Sequence, residues 1–310
     1  MSRSEPNRAA EMETFVRVVE RGDFSAAARE LRQSPSAISK LVARLEARLG
    51  AQLMTRTTRR LQLTAEGEAF YERATRILAD LDEAEREAAG GAAPRGRVRV
   101  NCSVSFGQMY VLPLVPAFLA RFPEVTLDIV LTDQVVDLVE QRADVAIRIG
   151  PLASSRLVAR KLGQSRMAVV ASPEHLARHG VPRTVEDLER QPRIGFNFTR
   201  TVRGWPFLVE GRTVTVSPNG PVQVGDGETS RLLALAGVGL ARHALFHIGP
   251  DIAAGTLVPV LEELNPGDIE EIHAVFVGRP GRLPARTRAF LDFLAEAAGE
   301  MNRSGWTTPP

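Results

Sequence analysis

The sequence predicts a mixed α/β protein: a small winged helix-turn-helix head, one long linker helix, and an α/β body. Three observations carry that prediction. Asp23–Thr64 reads as two short capped helices followed by a basic hairpin. Residues 65–89 are rich in strong helix formers, with no proline and no glycine after Gly67. From Arg97 onward, apolar β-rich runs alternate with helical patterns, as in sheets covered by helices.

Residues 1–9 read as a loose tail. Glu11 to Arg21 carries Met12, Phe15, Val16, Val18 and Val19, a helix that closes the core of the head. Asp23 or Ser25 can cap a helix over Ser25–Leu31, and Ser34 can cap one over Pro35–Leu49. A side-chain oxygen there accepts an N–H that the first turn leaves unpaired. Pro35 suits the first helical position because its missing N–H has no partner there. Ala26, Ala27, Leu31, Ile38, Leu41, Val42, Leu45 and Leu49 are spaced for two crossing helices on a small core, with Gln33 and Ser34 in the turn.

In a helix-turn-helix the second helix lies in the major groove. Its outer face carries Ser36, Ser39, Lys40, Ala43, Arg44 and Arg48. Small hydroxyls at Ser25, Ser34, Ser36 and Ser39 can approach bases and phosphates, and Lys40 and Arg44 add charge. Gly50 stops the helix. Arg56, Thr57, Arg59 and Arg60 then sit between apolar Leu53-Met54 and Leu61-Gln62-Leu63, a hairpin wing with a basic tip for the DNA backbone.

Charge agrees with this division. Of 39 basic and 37 acidic residues, residues 1–64 hold 12 and 7, leaving 27 against 30 elsewhere. A basic head on a slightly acidic body confines a double-stranded DNA contact to the head.

Residues 65–89 place Phe70, Ala74, Ile77, Leu81, Ala84 and Ala88 at alternating steps of four and three. That heptad seam suits an antiparallel helix pair between two subunits, or docking on the chain's own head. Residues 90–96 are a Gly- and Pro-containing hinge. In the body, Val98–Cys102, Thr126–Leu131 and Asp144–Ile149 read as strands, with helices over Phe106–Arg121 and Gln134–Gln141 between them. This βαβαβ unit predicts a parallel sheet. Met167–Ala171, Ile194–Phe198, Val222–Val224 and Ile272–Val277 read as further strands, and Pro173–His179, Glu228–Ala236 and Pro284–Ala298 as helices. Ser304–Pro310 is expected to be a disordered tail.

The motifs Met12-Glu-Thr-Phe15, Gly22-Asp-Phe-Ser-Ala-Ala-Ala28, Ser34-Pro-Ser-Ala-Ile-Ser39, Leu45-Glu46, Leu49-Gly50 and Leu63-Thr-Ala-Glu-Gly67 closely resemble the LysR-type transcriptional regulators. Asp144-Val-Ala-Ile-Arg-Ile-Gly150, Val169-Val-Ala-Ser-Pro173, Ala236-Gly-Val-Gly-Leu240 and the run Leu283–Leu294 look like landmarks of that family's effector domain. The resemblance covers about residues 10 to 298 and implies two α/β subdomains, like a periplasmic solute-binding protein. Its domain plan here is head 1–64, dimerising helix 65–89, hinge 90–96 and effector domain 97–303. Subdomain I takes 97–163 and 269–303, and subdomain II takes 164–268. The resemblance also implies a homodimer or a tetramer acting on promoter DNA under a small-molecule effector. Pro35 stands where the family often has glutamine, so an operator cannot be carried over by analogy.

In open α/β sheets ligands bind beyond the carboxyl ends of strands, near helix N-termini. Here those ends are Ser103-Val104-Ser105, Thr132-Asp133, Arg148-Ile149-Gly150 and Asn197-Phe198, with Asp226 opening a helix. The family motif places Ser103, Asp133 and Arg148 in or beside the effector cleft. A carboxylate effector would find its counter-charge in Arg148, though Arg148 could instead pair with Asp133 or Asp144. Ser103 is a ligand contact or a helix cap.

Other functions find little support. There is no Gly-x-Ser-x-Gly and no phosphate loop, so no catalytic residue or cofactor is assigned. His175/His179 and His243/His247 have i, i+4 spacing but no cysteine nearby, and surface or helix-end histidines are the plainer reading; no metal is assigned. A sole cysteine, Cys102, excludes an internal disulfide and reads as a buried thiol. No run of about 18 apolar residues is present, so no membrane partner is expected. Without an apolar signal core near the start, the cytoplasm is favoured.

Overall fold

A computed structural model of the chain describes residues 7–56, 61–88, 93–134, 143–152, 157–198, 204–277 and 283–303. It divides into two units, Met1–Ala92 and Ala93–Pro310.

The first unit runs α1 (Arg8–Arg21), α2 (Phe24–Glu30), α3 (Pro35–Leu49), β1 (Met54–Arg56), β2 (Leu61–Leu63) and α4 (Ala65–Ala88). Local chemistry sets most of these boundaries. Asp23 accepts the Ala26 N–H at 2.9 Å, so it caps α2 in place of Ser25, and the helix starts one residue earlier than the sequence suggests. Ser34 accepts the Ala37 N–H at 3.2 Å and opens α3. Gly50 closes α3 at φ +66°, a conformation that costs glycine little. Glu46 then reaches forward from α3 and accepts the Leu53 and Met54 N–H groups at 2.8 and 3.3 Å, tying α3 to the start of the wing. The wing strands pair antiparallel, Met54 opposite Leu63 and Arg56 opposite Leu61.

Phe15, Ile38, Leu45, Leu53 and Ala74 form the centre of this unit, and the Phe15 and Phe70 rings meet edge-on at 5.5 Å. Gly67 permits the closest approach: a Cβ there would stand 1.8 Å from the Leu53 carbonyl oxygen. The heptad seam of α4 therefore divides. Phe70 and Ala74 dock on their own head, while Ile77 and Leu81 are 50% and 41% exposed. The side chains of Ala84 and Ala88 lie outside the described residues, as do parts of the hinge.

The second unit begins with β3 (Gly96–Cys102). The helix expected over 106–121 starts earlier and is not uniform: α5 (Val104–Phe106) leads through a π turn (Gly107–Val111) and a 3-10 turn (Leu112–Leu114) into α6 (Val115–Arg121). Pro113 and Pro116 lack the N–H a regular helix needs there, and the pitch changes around them. Next come β4 (Val125–Leu131), β5 (Val145–Ile149) and the long β6 (Val158–Ala171). After it run α7 (Pro173–His179), α8 (Val185–Glu189), β7 (Gly195–Phe196), β8 (Trp205–Val209), β9 (Arg212–Val216), β10 (Gln223–Val224) and α9 (Gly227–Leu235). The chain ends with β11 (Ala241–Ala244), α10 (Leu245–Ala253), β12 (Val258–Val260), β13 (Ile269–Phe276) and α11 (Ala285–Arg303). The expected helix over 134–141 and the tail 304–310 lie outside the described residues.

The main sheet has the order β11-β6-β13-β5-β3-β4, with β12 also on β6. β3 is parallel to β4 and β5, as the βαβαβ reading requires. β13 is antiparallel to β5 and to β6, so the sheet is mixed where a parallel one was expected. One strand serves both halves of the unit: β6 pairs with β13 over residues 158–166 and with β11 and β12 over residues 167–171. Opposite Ile272 and His273 the register slips, leaving Leu162 as the extra residue of a bulge. Under the β3–β5–β13 half lie Val98, Val100, Ile147, Phe118 and Phe290. The other half has cores around Leu188, Phe207 and Leu240 and around Val170, Ile194 and Ile248.

Candidate functional site

The head presents the outer face of α3 to solvent. Ser36, Lys40, Ala43 and Arg44 are exposed, as are Ser25 and Ser34 before and beside it, while Ser39 is half-buried. Ser34 lies 3.0 Å from the Ser36 hydroxyl, so the capping oxygen and its neighbour form one small polar platform at the helix start. The two arginines of the same face differ in role. Arg48 donates to the buried Glu11 carboxylate at 3.1 Å, whereas Arg44 is 59% exposed and stands 3.7 Å from Glu11. Arg48 is thus a core counter-ion rather than part of the outer face. Arg56 ends β1; Thr57, Arg59 and Arg60 lie outside the described residues.

In the second unit a cleft of about 140 Å³ opens between the carboxyl ends of β3, β4 and β5 and the segment from β11 into α10. Ser103, Ser105, Asp133, Arg148, Gly150 and Phe198 line it, as their positions at strand ends suggested. Val104, Asn197 and Asp226 do not. Val104 contributes its backbone N–H, Asn197 binds Val224 through its backbone, and Asp226 spends its carboxylate capping α9 on Thr229.

Asp133 holds the two walls together. Its Oδ1 accepts the Val104 N–H at 2.8 Å and its Oδ2 accepts the Gly227 N–H at 2.7 Å. Those N–H groups open α5 and α9, so the carboxylate sits where two helix starts concentrate positive partial charge. A second tie runs deeper: the buried Tyr110 hydroxyl donates to the Phe246 carbonyl at 2.9 Å, and burial pushes its pKa up to about 12.

Ser103 and Arg148 each leave a buried polar atom unmet in the cleft. Ser103 occupies the cap position of α5, yet its hydroxyl makes no capping bond, and its buried Oγ has no hydrogen-bond partner. Arg148 forms no ion pair with Asp133, Asp144 or another described residue, and its buried Nη2 is likewise without a partner. Burial weighs against its charged form, and the nearby Asp133 opposes that. Asp144 instead accepts the Arg99 backbone N–H at 2.8 Å.

The opposite wall was not legible at the strand ends. Met167, Phe196, Arg242, His243, Phe246, His247 and Glu270 complete it. His175, His243 and His247 are buried, so they are not surface groups, while His175 and His247 do lie in the first turns of α7 and α10. His243 lies on β11 and His247 on α10, so their spacing does not mark one helix face. The His247 ring stands 2.6 Å from Glu228, and that contact holds the Glu228 carboxyl below its ordinary range. Glu228 also meets Arg231, which chelates Asp251 at 2.5 and 2.8 Å. His175, on α7, faces Gln191 and the Gly237 carbonyl. Burial pushes the Cys102 thiol up, which suits packing rather than nucleophilic chemistry. Among the described residues no cluster has the composition of a metal site, and no helix is long and apolar enough to cross a membrane.

Comparison with known proteins agrees with both units. Residues 9–68 match the family described as "Bacterial regulatory helix-turn-helix protein, lysR family", and residues 91–299 match "LysR substrate binding domain". The HTH-type transcriptional regulator CrgA of Neisseria meningitidis serogroup C is 38% identical over 291 residues, covering 93% of this chain and 96% of the relative. DmlR of Escherichia coli K12 is 34% identical, covering 94% of each. Among solved structures, CrgA from Neisseria meningitidis has a TM-score of 0.62 at 37% identity, covering 94% of this chain and 98% of that one. Full-length AphB, a virulence activator of Vibrio cholerae, has a TM-score of 0.58 at 25% identity, covering 93% and 99%.

Proposed function

The chain belongs to the LysR family of transcriptional regulators, and on that premise we propose which of its residues carry the regulation. It is a DNA-binding regulator with a helix-turn-helix head and an effector-binding body. In our reading, α3 enters the major groove of promoter DNA through Ser34, Ser36, Ser39, Lys40 and Arg44. Ser25 and the wing residues Arg56, Thr57, Arg59 and Arg60 hold the backbone. The observation that carries this is the solvent face of α3, where small hydroxyls and a lysine stand exposed on a helix otherwise buried by Ile38, Val42 and Leu45.

The effector occupies the cleft around Ser103, Ser105, Asp133, Arg148, Gly150 and Phe198, and biases how its two walls close. Exposed Ile77 and Leu81 on α4 support association of two chains, giving a homodimer or a tetramer that presents paired heads to a two-fold site. The protein works in the cytoplasm, where promoter DNA is reached, and catalyses no reaction on its effector.

Footprinting on DNA upstream of the chain's own gene, with and without metabolites of the adjacent genes, tests the reading. Paired half-sites whose spacing or bend changes with one compound are the expected result. Uniform coating that follows only salt and DNA length would discard sequence-specific regulation.

A further inference from the structure

Resting on the effector-cleft reading, we infer the chemical class of the ligand: a small monocarboxylate with an apolar body, its charged end received by Arg148 and Ser103. Ser103 is nine-tenths buried and its Oγ has no partner; Arg148 brings a buried Nη2 with none. Both line the same cleft. Buried donors left unmet in the empty protein are groups a ligand can satisfy. A guanidinium beside a hydroxyl matches a carboxylate, whose two oxygens accept from both.

The acid already in the cleft does not oppose this. Each Asp133 oxygen is engaged by one backbone N–H, so its charge is directed at the starts of α5 and α9. The number of ligand charges follows from the other cations. Arg242 pairs with Asp268, and Arg231 with Asp251 and Glu228. Of the arginines lining the cleft among the described residues, Arg148 alone has no acidic partner. A second carboxylate on the ligand would therefore meet no unpaired guanidinium, and would face Glu270. Met167, Phe196, Phe198 and Phe246 give the cleft, of about 140 Å³, an apolar part beside these polar groups. That surface receives a hydrocarbon chain or a single ring.

Calorimetry on the full chain with three probes tests the class: phenylacetate, its neutral amide phenylacetamide, and the dianion succinate. Phenylacetate, or hexanoate as an aliphatic equivalent, is expected to bind at least about tenfold more tightly than either control. Arg148→Gln lowers that affinity about tenfold or more, and Ser103→Ala lowers it severalfold. The acid-versus-amide comparison uses the unmodified chain, so it stands even if Arg148→Gln fails to fold. Equal binding of phenylacetamide, tighter binding of succinate, or no binding of either monocarboxylate overturns the class. Discrete footprints from the same preparation separate that failure from failure of the regulator reading, which their absence would mark.

Discussion

Asp133 and Gly227 join across the cleft: the Gly227 N–H donates to the Asp133 carboxylate at 2.7 Å, from the first residue of α9. The other oxygen of the same carboxylate takes the Val104 N–H. One side chain at the end of β4 thereby helps set the distance between two walls, with the deeper Tyr110–Phe246 bond as a second tie.

Removing that carboxylate should loosen the body. Hydrogen bonds to charged groups contribute about 1.5–3 kcal/mol each, so Asp133→Ala, which removes two, is expected to lower stability by at least about 3 kcal/mol. Asp133→Asn keeps one acceptor and should lose about half as much. Thermal unfolding reads both, with about 2–4 °C per kcal/mol for a unit of this size. A melting temperature unchanged by Asp133→Ala would show that the bridge holds nothing.

Arg48 and Lys40 should separate stability from DNA binding, although they lie two turns apart on one helix. Arg48→Ala leaves the buried Glu11 carboxylate with only the distant Arg44, at a cost of up to about 3 kcal/mol. Lys40→Ala should leave folding alone and reduce the salt dependence of operator binding by about one phosphate contact. Urea unfolding and binding titrations over a salt series check the pair; equal effects of both variants on stability would refute the division.

Gly67→Ala should break the junction between wing and α4. The added Cβ would meet the Leu53 carbonyl oxygen at 1.8 Å, a backbone atom in a segment held by Glu46 and Thr64. We expect a loss of roughly 3 kcal/mol, the upper end for over-packing, read as weaker thermal stability of the head. Near-native unfolding would mean that the segment shifts freely.

Acid should weaken the body through His175. Burial holds its pKa below the ordinary imidazole value, against the opposing hydrogen bonds to Gln191 and Gly237. The unfolded chain then binds the proton more readily. The stabilisation is complete above the unfolded value of about 6.5 and is lost as pH falls from there toward the folded value. Urea midpoints at about pH 7.5 and about pH 5.5 should differ less in His175→Gln than in the unmodified chain. An unaltered pH dependence would assign the effect to other groups.

Legibility in the sequence followed the range of the interactions. Asp23, Ser34 and Gly50 act within one helical turn, and the bounds of α2 and α3 could be read to within a residue. The cleft residues at the ends of β3, β4 and β5 were legible for a similar reason, since strand ends are local and parallel topology points them the same way. The second wall was not. Arg242 and His243 look like surface residues until β11 pairs with β6 more than seventy residues earlier. The β8–β9 hairpin escaped notice as well: Glu210-Gly211 turns it at φ +47° and +76°, where asparagine-glycine would have been the stronger signal, and Pro206 interrupts its first strand. The seam on α4 left two partners open because apolar positions in register do not say whether they meet a second chain or the helix's own head; Phe70 and Ala74 meet the head.

The shared strand β6 also sets an order of events during synthesis. Its second half finds β11 and β12 within about ninety residues, but its first half waits for β13, which begins at Ile269. At about 5–20 residues per second, residues 158–166 therefore emerge many seconds before their partner exists. In that interval the nascent chain carries an unpaired edge, and the charges of Arg160 and Lys161 make that edge a poor template for another chain. The charges that flank the bulge of the finished strand thus guard the same strand while it is still alone.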